Sequence, residues 1–137
     1  MKGYRFIDDL TSDVMFEATG KGLKEVFAHA AEAVFSVICD IGKIQSKKCI
    51  DVNVHGKDKD ELMINWLQQL ISLVDTEDTF FSKFDVLEID EQHLKARICG
   101  EEIRPELGET VVKAVTYYKF RFRKTEKGYV ARVSLDI

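Results

Sequence analysis

Apolar residues recur along this chain with two alternating periods. Tyr4-Arg5-Phe6-Ile7 has the make-up of a short strand, and Val14, Phe16 and Ala18 alternate with Met15, Glu17 and Thr19 as a second strand would. The carboxylate-rich Asp8-Asp9-Leu10-Thr11-Ser12-Asp13 between them has turn chemistry. From Leu23 the spacing changes to threes and fours, through Val26, Phe27, Ala30, Ala31, Val34, Val37, Ile38 and Ile41, which predicts one helical face ending at Gly42. Ile50, Val52 and Val54 return to alternation and Gly56 closes that strand. Asp58 with Glu61 forms a capping box for a second helix, whose buried stripe is Leu62, Trp66, Leu70, Leu73 and Val74.

Beyond the turn at Asp75-Thr76-Glu77-Asp78 the pattern is strand-like. Strands are expected over Phe84–Ile89, Leu94–Cys99, Val111–Arg123 and Tyr129–Leu135, the last two joined by the four-residue turn Thr125-Glu126-Lys127-Gly128. Two one-sided helices beside about seven mostly hairpin-linked strands define an α+β class, with both helices packed on a single, largely antiparallel sheet. With one proline, no linker-like tract and no internal repeat, residues 1–137 are expected to share one domain, and covering the sheet uses both helical faces, so a monomer is expected.

Composition narrows the function classes. At 137 residues with 45% apolar and 32% charged positions, the chain can bury a core without a structural metal. No run reaches the roughly 20 apolar residues of a membrane span, and the first residues carry no signal-peptide pattern, so a cytosolic protein without a membrane partner is expected. Cys39, Cys49 and Cys99, odd in number and widely spaced, are expected to be reduced, mostly buried thiols. Charge is uneven: residues 1–110 carry 13 Lys/Arg against 22 Asp/Glu, and residues 111–137 carry 7 against 2.

Standard catalytic signatures are missing from the sequence: no HExxH, GxSxG or Walker A, and no clustered Cys/His spacing. Gly20-Lys21-Gly22 reads as a tight turn, because Glu25 stands where a phosphate loop needs its third glycine. His29, His55 and His93 are scattered and read as structural or surface residues. On Val111–Arg123 the odd positions include Lys113, Tyr117, Lys119, Arg121 and Arg123, and the even ones Val112, Ala114, Thr116, Tyr118, Phe120 and Phe122. One face is cationic and the other apolar. The cationic face is either a solvated surface balancing an acidic body or a docking stripe for phosphates or an acidic partner; no set of exposed aromatics is evident for base stacking.

The last strand ends close to Ile137, so Asp136 and the α-carboxylate are expected to be held in place. Brought together with Asp13 they would repel one another unless a hard cation bound them, and oxygen-only ligation favours Ca²⁺ or Mg²⁺ over zinc. Spacing alone leaves open whether Asp13 lies near Asp136 or is an ordinary loop aspartate. Such carboxylates would also suit a metal-dependent phosphatase or nuclease, which the missing histidine and phosphate-loop chemistry disfavours.

Four short blocks, taken in order, resemble the archease family. Thr11-Ser12-Asp13-Val14 is similar to its His-Thr-Ala-Asp-Val opening, and Asn65-Trp66-Leu67 to its Asn-Trp-Leu signature. Lys113-Ala114-Val115-Thr116-Tyr117 resembles Lys-Ala-x-Thr-Tyr, and Leu135-Asp136-Ile137 the Leu-Asp-Ile ending. The likeness implies an α+β fold and a non-enzymatic accessory protein that promotes guanylylation and repeated turnover of the GTP-dependent RNA-splicing ligase in tRNA splicing. It implies a divalent cation, Ca²⁺ ahead of Mg²⁺, held by Asp13, Asp136 and Ile137. Contact with the ligase or with phosphate falls to Asp40, Lys113, Arg121 and Arg123, and any contact with RNA is indirect. A general chaperone or a specificity factor for RNA-modifying enzymes is the alternative. Leu10 and Tyr118 stand where the family commonly has histidine.

Overall fold

A computed structural model describes residues 2–8 and 13–137; the expected turn residues Asp9, Leu10, Thr11 and Ser12, two of which belong to the opening motif, lie outside the described residues. Among those described, the order is β1 (Tyr4–Ile7), β2 (Val14–Gly20), α1 (Leu23–Ile38), β3 (Lys48–His55), α2 (Lys59–Thr76), β4 (Thr79–Ile89), β5 (His93–Glu102), β6 (Ala114–Thr125) and β7 (Gly128–Asp136). Short 3₁₀ turns occupy Ile41–Lys43 and Pro105–Leu107. The class is α+β, and every strand pair is antiparallel.

The expected single sheet is in fact two: four strands in the order β1-β2-β7-β6 and three in the order β3-β5-β4. Alternation says which face of a strand is apolar but not which strands share hydrogen bonds, so the division was invisible in the sequence. It explains the breadth of the buried surface on α1, where Val26, Phe27, Ala30, Ala31, Ala33, Val34, Phe35 and Ile38 are all buried. One side of the helix meets the larger sheet, with the Phe27 ring 5.7 Å from that of Phe122 on β6. The other side meets the smaller sheet, with Phe35 at 5.8 Å and 5.2 Å from Phe81 and Phe84 on β4. Alanines at three of these positions give a narrow helix that can sit against both layers.

The second helix is capped as expected: the Asp58 carboxylate accepts the Glu61 N–H at 2.9 Å. The Glu61 carboxylate reaches back to the N–H of Lys57, one residue before the usual partner of a capping box. Trp66, fully buried, donates its indole N–H to the Phe27 carbonyl at 3.0 Å and ties the two helices together. Strand β4 begins at Thr79, five residues before the expected Phe84, because Thr79, Phe80 and Phe81 are buried consecutively and show no alternation. Gly100 on β5 faces Phe81, and a side chain there would run into the Phe80 backbone, so the two strands close on a glycine.

α1 stops at Ile38 rather than Ile41. The segment 107–110 crosses its end and satisfies carbonyls that a helix terminus leaves free: Glu109 N–H donates to Ile38 O at 2.9 Å and Thr110 N–H to Val37 O at 3.1 Å, while Asp40 N–H donates to Leu107 O. That duty removes residues 111–113 from the long strand expected there, so β6 starts at Ala114.

Two further expectations are corrected. Cys49 and Cys99 are not reduced thiols but a disulfide; they are register partners on β3 and β5 with Cα atoms 4.1 Å apart, the close approach of a non-hydrogen-bonded antiparallel pair. Only a known register could have revealed that proximity across 50 residues of sequence. Cys39 stays a buried free thiol, and burial, with Glu109 and Asp40 adding to it, pushes its pKa up to about 12.

The clean cationic/apolar alternation on β6 is also broken. Thr116 pairs with Ser134 and Arg121 with Arg132, so the four residues Tyr117–Phe120 face the single residue Val133. This bulge folds over the outer face of β7, where Ser134 Oγ donates to Tyr118 O and Arg132 Nε to Lys119 O. Lys119 takes the left-handed backbone conformation that the reversal requires. Val115, at an odd position, is consequently buried with Leu135, whereas Tyr118, expected inside, is 38% exposed.

Candidate functional site

The second strand and the last meet through β-pairing. β2 and β7 are hydrogen-bonded neighbours from Gly20–Tyr129 to Val14–Leu135. Asp13 directly precedes Val14 and Asp136 directly follows Leu135, so both aspartates flank the last pair of that ladder. Asp13 is half-buried and Asp136 exposed. On the other side of β7, Ala114 pairs with Asp136, and the Lys113 N–H donates to the Asp136 carbonyl at 2.7 Å. Lys113 and Ile137 therefore border the same strand ends.

α1 runs back along β2, so its C-terminus comes to this end of the domain. The segment from Leu107 onward joins the two features, bonding to Val37 and Ile38 through residues 109 and 110 and to Asp136 through Lys113. Asp40 sits just beyond the helix, with its carboxylate 3.5 Å from Lys43 Nζ; both groups are well exposed, so the pair contributes little. Behind it the 3₁₀ turn is held by Glu101, which is 4% exposed, accepts the Gln45 N–H at 2.6 Å and pairs with Arg104 at 3.0 Å. These bonds hold the Glu101 carboxyl below its ordinary range, the Gln45 N–H being the largest influence.

An apolar hollow of about 290 Å³ opens at the same end, walled by Ile38, Ile71, Val74, Phe80, Pro105 and Val112. Val111 stands beside it with 78% of its surface exposed. Asp13, Asp136, Ile137, Lys113 and Asp40 thus share one end of the domain. Arg121 and Arg123 do not: Arg123 pairs with Val130, six residues along β7 from Asp136, or about 20 Å away. The hollow and exposed Val111 were missed in the sequence, where Val111 and Val112 look like ordinary strand residues.

No three His, Cys, Asp or Glu side chains among the described residues gather in a metal-holding arrangement. What the strand ends supply is one carboxylate on each side of the Val14–Leu135 pair, with nearby backbone oxygens. That donor set is all oxygen and suits a hard cation of flexible coordination better than zinc. The Cys39 thiol at this end is buried and held protonated, and the buried Ser134 hydroxyl is committed to the Tyr118 carbonyl.

These features define a class: a small α+β domain whose second and last strands pair at the centre of one sheet and end beside an aspartate each. Residues 4–137 match the family described as the Archease protein family (MTH1598/TM1083). Among curated relatives, the protein archease of Methanosarcina acetivorans is 39% identical, covering 99% of this chain and 97% of that protein. Protein archease of Archaeoglobus fulgidus is also 39% identical, with 98% of each covered. The solution structure of Methanobacterium thermoautotrophicum protein 1598 superimposes with a TM-score of 0.81 at 34% identity over the whole of both chains. A Thermotoga maritima archease described as a possible chaperone shares the fold, with a TM-score of 0.66, 15% identity and 97% of each chain covered. The chain belongs to the archease family.

Proposed function

We propose that this protein is a non-enzymatic activator of the GTP-dependent RNA-splicing ligase, working through the rim at Asp13 and Asp136. What supports this reading is the β2–β7 register, which pairs Val14 with Leu135, the residues adjoining Asp13 and Asp136, within a chain that matches the archease family from end to end of its described strands. Asp13, Asp136 and Ile137 would hold the divalent cation, Ca²⁺ in preference to Mg²⁺ because strand-end oxygens impose no strict octahedron. The cation would supply positive charge that offsets carboxylate repulsion and orients the rim. The strands themselves need no such clamp, since β2 and β7 are already paired along their length.

The protein's own groups do the docking. Lys113 offers a cation at the rim, Asp40 a carboxylate, and Val111 with the adjoining hollow an apolar anchor point for a ligase side chain. Large exposed apolar residues among those described are Phe6, Leu87, Val111, Tyr117, Tyr118 and Ile137, spread over several surfaces. That scatter suits one specific partner better than the broad apolar surface of a general chaperone. A multiple-turnover ligation assay tests the proposal: Asp13→Ala and Asp136→Ala are expected to abolish stimulation while far-UV circular dichroism stays unchanged. Full stimulation by both variants refutes it.

A further inference from the structure

The outer face of the four-stranded sheet gathers positive charge, although the whole chain carries a formal net charge of −4. The pairings Arg5–Glu17, Glu17–Arg132 and Arg132–Arg121 place these four residues in one row across β1, β2, β7 and β6. The neighbouring inward row is Tyr4, Ala18, Ala131 and Phe122, of which the last three are buried, so the charged row points outward. Arg123 adds a further cation two residues along β6. Like charges directly opposite each other destabilise a sheet, yet Arg121 faces Arg132.

The carboxylate in the row does not relieve that repulsion, because Glu17 is engaged by Arg5 at 2.7 Å. Arg121 and Arg123 are exposed and, among the described residues, have no carboxylate within 4.0 Å. Beside them the β6 bulge lifts Tyr117 out of the sheet, 65% exposed, with its ring edge-on to Phe120 at 6.0 Å. The sequence pattern places Tyr117 on the cationic face of a regular strand; the bulge that makes it protrude appears only in the register.

We propose that this face binds single-stranded RNA, with phosphates on Arg121, Arg123 and Arg132 and a base stacked on Tyr117. Phosphate is the anion that best matches adjacent guanidinium forks, and it would relieve the Arg121–Arg132 opposition. A protruding aromatic beside cations on an open sheet suits an unpaired strand whose bases splay outward, and is of no use to an A-form duplex or a purely acidic protein surface. Along β7, Arg132 and its partner Arg121 lie about 13 Å and Arg123 about 20 Å from Asp136, and none of the rim residues belongs to this face, so it stands whether or not the ligase reading does.

The test uses the full chain and a fluorescein-labelled twelve-residue oligouridylate, read by fluorescence anisotropy without ligase. Three phosphate contacts predict a slope of log K on log salt near −2, at about −0.7 per contact. The double substitution Arg121→Ala/Arg123→Ala is expected to weaken binding at least about tenfold and to reduce the slope by about 1.4. Tyr117→Ala is expected to weaken binding several-fold with the slope unchanged. Lys83→Ala/Lys95→Ala, which removes two exposed cations from the smaller sheet, is expected to change nothing. No measurable binding overturns the proposal. So does equal loss in the Lys83/Lys95 variant, or competition by polyglutamate as effective as by unlabelled oligouridylate with no dependence on Tyr117, which would assign the face to an acidic protein.

Discussion

Breaking the Cys49–Cys99 link should cost this domain a large share of its stability. The bond spans 50 residues and bridges β3, an edge strand, to the central β5 of the smaller sheet. In the chain-entropy description, closing a loop of that length removes about 4 kcal/mol of freedom from the unfolded chain. With an unfolding entropy of about 2.1 cal/mol/K per residue, that converts to a Tm lower by roughly 14 °C in the reduced protein or in Cys49→Ala/Cys99→Ala. The measurement is thermal unfolding with and without a phosphine reductant, accompanied by counting of maleimide-reactive thiols. In the unreduced protein one thiol, Cys39, should label, and only after unfolding, because it is buried and its pKa is raised to about 12. Three reactive thiols in the unfolded, unreduced protein would refute the bond; a bond present but a Tm shift below about 3 °C would refute the loop-entropy argument instead.

Glu101 gives an acid-side prediction. Its folded-state pKa lies below the ordinary 4.5, so its contribution to stability is present above that value and is lost as the pH falls through the lower folded value. The Tm advantage of the native protein over Glu101→Gln should therefore shrink on titration from pH 6 to pH 3, whereas a constant difference would contradict the assigned cause. Gly100→Ala should destabilise by more than the roughly 1 kcal/mol of an ordinary strand substitution, since its methyl group meets Phe80 backbone that cannot turn aside; urea unfolding reads this directly, and a neutral result would show that β4 and β5 can part. Adding two glycines after Ile137 removes a charged carboxylate from the proposed cation rim, and isothermal titration with Ca²⁺ should show weaker binding; unchanged affinity would exclude Ile137 as a ligand.

Local chemistry settled much of this molecule. Helix starts, the capping aspartate Asp58, the buried stripe through Trp66 and the four-residue β6–β7 turn follow from short-range spacing, because a helix face or a pleated strand repeats within a few residues. The resemblance blocks named the family, and with it Asp13 and Asp136 as residues of interest. Partition of the strands into two sheets, the Cys49–Cys99 bond, the pairing of Val14 with Leu135 beside Asp13 and Asp136, and the β6 bulge all depend on which strands pair and in what register. The β2–β7 and β3–β5 pairings join residues about 40 to 120 positions apart, and all of these pairings act through backbone groups that every residue possesses, so no side-chain pattern encodes them locally; the two sheets are brought together only when α1 buries its two apolar sides against them.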